Sequence, residues 1–140
     1  MYHIAQVNIA QLLAPEGDPK VAGFFDNIER INSIADASDG FVWRYDGEYG
    51  DNPLQVFNLS VWQDIESLAQ FVYRSAHVDI LRQKAQWMRP MDNEHSALWW
   101  VEQGHIPSPD EAILKLQHLN ICGPSAQAFT FTHRYSAPKH

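Results

Sequence analysis

Two hydrophobic periods succeed one another along this chain, and their order is the strongest constraint on its fold. Residues 3–10 (HIAQVNIA) alternate as a strand does, with Ala5, Val7 and Ile9 on one face and Gln6 and Asn8 on the other. Asp18-Pro19 supplies a capping side chain followed by a proline suited to a first helical position. Val21, Phe24, Phe25, Ile28, Ile31 and Ala35 then recur at helical spacing, up to the turn-rich stretch Asp36–Gly40. Phe41–Tyr45 (FVWRY) and Leu54–Trp62 (LQVFNLSVW) return to strand character, joined across DGEYGDNP as a hairpin with a long tip.

The helical period resumes from Gln63 to Trp87, with a break at Tyr73-Arg74-Ser75-Ala76 and Pro90 as the stop. Its second half carries a core stripe of Val78, Leu81, Ala85 and Met88. Ala97–Glu102 (ALWWVE) is an apolar strand. Ser108-Pro109-Asp110-Glu111 forms an S-x-x-E capping box before a last helix with Ile113, Leu116 and Leu119, closed by Gly123-Pro124. Phe129–His133 is expected to add a short fifth strand. The order β-α-β-β-α-β with an extra C-terminal helix is the split-βαβ, ferredoxin-like arrangement of an α+β protein.

At 140 residues the chain has room for one core, so residues 1–140 read as a single domain. Hydrophobic residues make up 45% and charged residues 19%, which excludes a disordered segment. The net charge of -7 leaves no basic footprint for nucleic acid or an anionic membrane. No apolar run reaches membrane-spanning length, and the first residues lack the basic start of a signal peptide, so a cytoplasmic protein is expected. Neither sheet face carries charge: one holds Val7, Ile9, Phe57, Leu59 and Val61, the other Gln6, Asn8, Asn58, Ser60 and Trp62. Either the last helix wraps under the sheet or two sheets meet across a twofold axis, and the homodimer is the favoured expectation.

Five tryptophans and seven histidines supply the candidates for chemistry. His77 stands at a helix start, where an imidazole either packs across the break or serves as a neutral base. Asn8 and Asn58 belong on neighbouring strands; they either satisfy each other or the local backbone, or donate to an oxyanion in a polar pocket. Arg74 and Lys84, with Arg82 and Arg89, make either a solvated helix face or a small basic rim for an anionic ligand. Trp62, Trp87 and Trp100 are core residues or the walls of a ligand box, and adjacent Trp99 and Trp100 must face opposite sides of the sheet. His105, in the turn Gly104-His105-Ile106-Pro107, either pins that turn to the last helix or joins the ligand-binding set.

The remaining histidines show no metal-site spacing, and Cys122 is the only cysteine, so no metal is expected. Nor is a cofactor expected; spacing leaves haem on a single histidine, His77, as the alternative.

The stretches Asn58-Leu59-Ser60-Val61-Trp62, Phe71-Val72-Tyr73-Arg74-Ser75-Ala76-His77, and Leu98-Trp99-Trp100-Val101 through Gly104-His105-Ile106-Pro107 together resemble a bacterial family known only as a domain of unknown function. The opening strand with Asn8 and the terminal Phe129-Thr130-Phe131 match it too. That family is similar to antibiotic-biosynthesis monooxygenases and haem-degrading enzymes of the dimeric α/β-barrel superfamily. The resemblance implies a homodimer of ferredoxin-like protomers forming a dimeric α/β barrel, with a small-molecule pocket between sheet and helices. It also implies site roles for Asn8, Trp62 and His77. Lys84-Ala85-Gln86-Trp87-Met88 departs from the family pattern, which has an arginine-rich stretch with Glu before the tryptophan. Cofactor-independent oxygenation of a small apolar or aromatic compound is one expectation, and a non-catalytic protein binding a small ligand or haem is the other.

Overall fold

The first strand, β1 (Tyr2–Leu12), is the spine of the sheet, hydrogen-bonded along both edges. A computed structural model describes residues 1–47, 50–74, 84–91 and 93–138 of the chain, without the side chains of Arg74, Lys84 and Ala85. On one edge β1 pairs antiparallel with β3 (Gln55–Trp62), which pairs in turn with β2 (Phe41–Arg44). The other edge is shared by two strands. β5 (Ser96–Glu102) runs against Tyr2–Asn8, and the two-residue β4 (Met88–Arg89) meets Gln11 and Leu12. The order β2-β3-β1-β5, all antiparallel, is the ferredoxin-like sheet of an α+β protein.

Helices cover both faces. Asp18 accepts a hydrogen bond from the Lys20 N–H and opens a 3-10 turn, Pro19–Val21, that runs into α1 (Ala22–Asp36). Asp64 accepts from the Ser67 N–H at 2.7 Å and starts α2 (Ile65–Arg74). Ser108 accepts from the Glu111 N–H at the head of α3 (Pro109–Cys122), as the capping box requires. α1 and α2 lie over the face that carries the even-numbered residues of β1. At one end Ile4, Trp62 and Leu98 pack with Ala35, Ile65 and Leu68. At the other end Ala10 and Leu12 pack with Val21, Phe24, Trp87 and Met88.

α3 lies across the odd-numbered face, burying Ala112, Leu116 and Leu119 against Ala5, Val7, Ala97, Trp99 and Val101. This corrects the expectation of a bare sheet waiting for a second copy: the chain's own last helix covers β1 and β5. Ile9, Trp43, Tyr45 and Phe57, towards β2 and β3, are only partly buried there.

One other expectation is corrected. Phe129–His133 is not a strand; Phe129 makes an isolated bridge with Leu98, exchanging both backbone hydrogen bonds and capping the outer edge of β5. The helical period ends at Trp87, as the sequence led us to expect. After a last helical turn, Lys84–Trp87, the backbone extends at Met88–Arg89, because proline disfavours helical geometry in the residue before it. Ser75, Val78, Ile80, Leu81 and Arg82 lie outside the described residues, as does the side chain of Ala85.

Candidate functional site

The cross-strand register builds a polar floor on the face covered by α1 and α2. Asn8 stands directly opposite Asn58 on one side and Ser96 on the other. One row further along, Gln6 stands opposite Ser60. Residues paired in this way have Cβ atoms roughly 5 Å apart, so these five side chains form one neutral patch of amides and hydroxyls. The apolar cluster around Trp62 and Leu98 borders it at one end, and Ala10 with Val56 borders it at the other. Exposure rises across the patch: Gln6 and Ser60 are buried, Asn8 and Ser96 half-buried, Asn58 exposed. The floor therefore opens outward at Asn58.

Within the floor the buried groups are tied together. The Trp62 indole N–H donates to Ser60 Oγ at 3.0 Å, and the Ser60 hydroxyl donates to Gln6 Oε1 at 3.0 Å. Asn8 and Asn58 do not bond each other, and no other described group bonds either side chain. Of the two readings open for these asparagines, mutual satisfaction is thus not what the structure adopts. Their amides stay available to a ligand, and such groups stabilise a carbonyl or oxyanion oxygen through preorganised N–H donors. Gln6 and Ser60 were not singled out as site residues from the sequence. Their signal was present in the alternation, as polar residues on a strand face that a helix must cover.

The other candidates separate. Trp62 is 1% exposed, stacked on Phe71 at 5.2 Å and edge-on to Phe41 at 5.4 Å; it anchors the floor from behind. Trp87 is a core residue against Phe24, and α1 passes so closely that a Cβ on Gly23 would lie 2.9 Å from the Trp87 indole nitrogen. Trp100 shares the face but stands opposite Ile4, two rows from Asn8, with its indole N–H held by the Tyr135 carbonyl at 2.8 Å. His77 lies outside the described residues, as do the side chains of Arg74, at the end of α2, and Lys84.

His105 is not brought to the floor. Its Nε2 lies 2.8 Å from Glu111 Oε1 on α3, on the opposite side of the sheet, while Glu111 Oε2 accepts the buried Trp99 indole N–H at 3.0 Å. The capping box places Glu111 at that position, and one carboxylate then pins the turn and the core together. Replacing Glu111 with leucine leaves the Trp99 N–H without an acceptor. The expected loss is about 1–3 kcal/mol in urea unfolding, with His105→Ala costing far less because that ring is half exposed. Equal losses from the two substitutions would contradict this division.

Among the described residues no group of three His, Cys, Asp or Glu side chains is placed to hold a metal ion, and no helix is long and apolar enough to cross a membrane.

Residues 3–140 match the family model described as a domain of unknown function, DUF3291. No curated protein matches the sequence. Among solved structures the fold is similar to SnoaB, a cofactor-independent oxygenase from Streptomyces nogalater. That match has 14% identity and a TM-score of 0.54 over 78% of this chain and 99% of the other. A conserved protein from Methanosarcina mazei Go1 is 22% identical, with a TM-score of 0.54 over 73% of this chain and 93% of its own. A protein of unknown function from Nitrosomonas europaea is 14% identical, with a TM-score of 0.53 over 78% and 96%. At these identities the likeness is one of fold.

Proposed function

The chain belongs to the DUF3291 family, and from that premise we propose that it binds a small, largely apolar or aromatic molecule between the sheet and its helices, and oxygenates it without a cofactor. The observation that carries this reading is the floor of Asn8, Asn58, Gln6, Ser60 and Ser96, neutral and lodged between two apolar clusters. Asn8 and Asn58 have no hydrogen-bond partner among the described residues, which leaves their amides free to meet a ligand. The apolar borders suit its hydrocarbon body.

In a cofactor-free route the substrate itself must supply the electrons that reduce dioxygen, and it does so most readily as an anion. Asn8 and Asn58 would stabilise that anion through their N–H groups, and His77 is assigned the base that forms it. The similarity to SnoaB supports this reading, and that oxygenase has also been solved with an asparagine replaced by alanine. The proposal includes a homodimer, for which the partly buried Ile9, Trp43, Tyr45 and Phe57 offer an apolar contact surface.

The test is oxygen consumption by the purified chain with a panel of phenols and polycyclic ketones, alongside sedimentation of the same preparation. Turnover of at least one compound is expected, reduced about 100-fold in Asn58→Ala, with a mass of two chains. Binding without oxygen uptake would select the second reading, a non-catalytic ligand-binding dimer. A Soret band in the purified protein would mark haem as the ligand.

A further inference from the structure

We propose that Gln6 is a ligand-binding residue whose two amide N–H groups, oriented by Ser60 and Trp62, select a ligand with a carbonyl or oxyanion oxygen. This deepens the reading above and rests on it. The orientation follows from counting protons. An indole N–H can only donate, so Ser60 Oγ, 3.0 Å from Trp62 Nε1, is its acceptor. The serine hydroxyl has a single proton of its own, and Gln6 Oε1 lies 3.0 Å away to receive it. A flipped Gln6 would set a second donor against the serine and leave the hydroxyl proton with no acceptor among the described residues. The chain Trp62–Ser60–Gln6 therefore runs one way and leaves the glutamine's –NH2 at its free end.

Gln6 is only 9% exposed, and no described group accepts from that –NH2. A donor left at the end of such a chain can be met by a ligand's oxygen. Asn8 is two residues along the same strand and on the same face, roughly 7 Å away, so one ligand reaches both. Gln6, Asn8, Asn58, Ser60 and Ser96 are all uncharged, which suits a neutral carbonyl that gathers negative charge better than a permanent anion.

Isothermal titration with 1-tetralone and with tetralin, the same bicycle without the carbonyl, separates donor recognition from apolar packing. In Gln6→Leu the tetralone-to-tetralin affinity ratio is expected to fall about tenfold, while tetralin affinity stays within about twofold. Ser60→Ala frees the amide to flip and should lower the ratio by about threefold; Ser60→Thr, which keeps the hydroxyl, should restore it. The serine pair carries the test if Gln6→Leu does not fold, since a structural defect alone would change both ligands together. An unchanged ratio with tetralin still bound overturns the role of Gln6 and leaves the proposed ligand binding standing. Failure of wild-type protein to bind either compound overturns both.

Discussion

Replacing Trp62 with alanine is expected to cost about 3–5 kcal/mol of folding free energy, the largest loss from any single truncation on the face covered by α1 and α2. The indole is 1% exposed and joins three elements: it is edge-on to Phe41 of β2, stacked on Phe71 of α2, and itself part of β3. Its removal leaves a cavity where α2 meets the sheet, and rigid neighbours collapse only partly into such a space. The substitution also takes the donor from Ser60, so the buried hydroxyl keeps one bond where it had two. Trp62→Phe narrows these effects, since a six-membered ring stays while the N–H and part of the indole are lost; about 1–2 kcal/mol is expected. Urea unfolding followed by circular dichroism reads both. A loss below 1 kcal/mol for the alanine variant would mean that α2 does not depend on this residue.

Gly40→Ala should be nearly as damaging, at about 2–4 kcal/mol, although the residue is small and lies in a turn. Two faults combine there. Its φ of +82° is a left-handed conformation that L residues adopt at a cost. A Cβ at that point would overlap Ser67 Oγ and lie 2.5 Å from Ser67 Cβ, in the first turn of α2. The turn cannot simply move away, because the Gly40 carbonyl accepts the Gln63 N–H at 2.7 Å just before that helix. Adding Ser67→Gly relieves the overlap and leaves the φ strain, so the double variant is expected to recover about half the loss. Thermal melts of the single and double variants check this; no recovery would place the whole cost in the backbone.

Strand and helix order was legible because alternation and helical spacing depend on neighbouring residues alone. Asp18, Ser108 and Gly40 announced their turns through their own chemistry. What could not be read was which helix lies on which face. The strands told that Val7 and Leu59 share a side with each other and Asn8 with Asn58. They did not tell that α3 would reach back over Ala97 and Trp99, because that depends on the path after Gly104. The site was half legible for a related reason. Asn8 and Asn58 stood out as amides on adjacent strands, whereas Gln6 and Ser60 looked like ordinary polar members of an alternating pattern. Only the register, which sets Ser60 beside Gln6 and within reach of Trp62, turns them into a connected group. His105 carried two readings, and the one that pins its turn to the last helix is the one the structure adopts, through a partner, Glu111, that is found only once α3 is in place.

β1 precedes β5, where it finds half its hydrogen bonds, by most of the sheet's length of chain. On a ribosome adding roughly 5–20 residues per second, that strand waits on the order of 5–20 seconds for its neighbour. Meanwhile β3 pairs with one edge of β1 and leaves the other edge, with its unsatisfied N–H and C=O groups, open to any passing strand. Such late, long-range closure slows folding and makes the nascent chain the stage most vulnerable to aggregation. A chaperone or rapid release should therefore raise the yield of this protein more than any change to its finished surface.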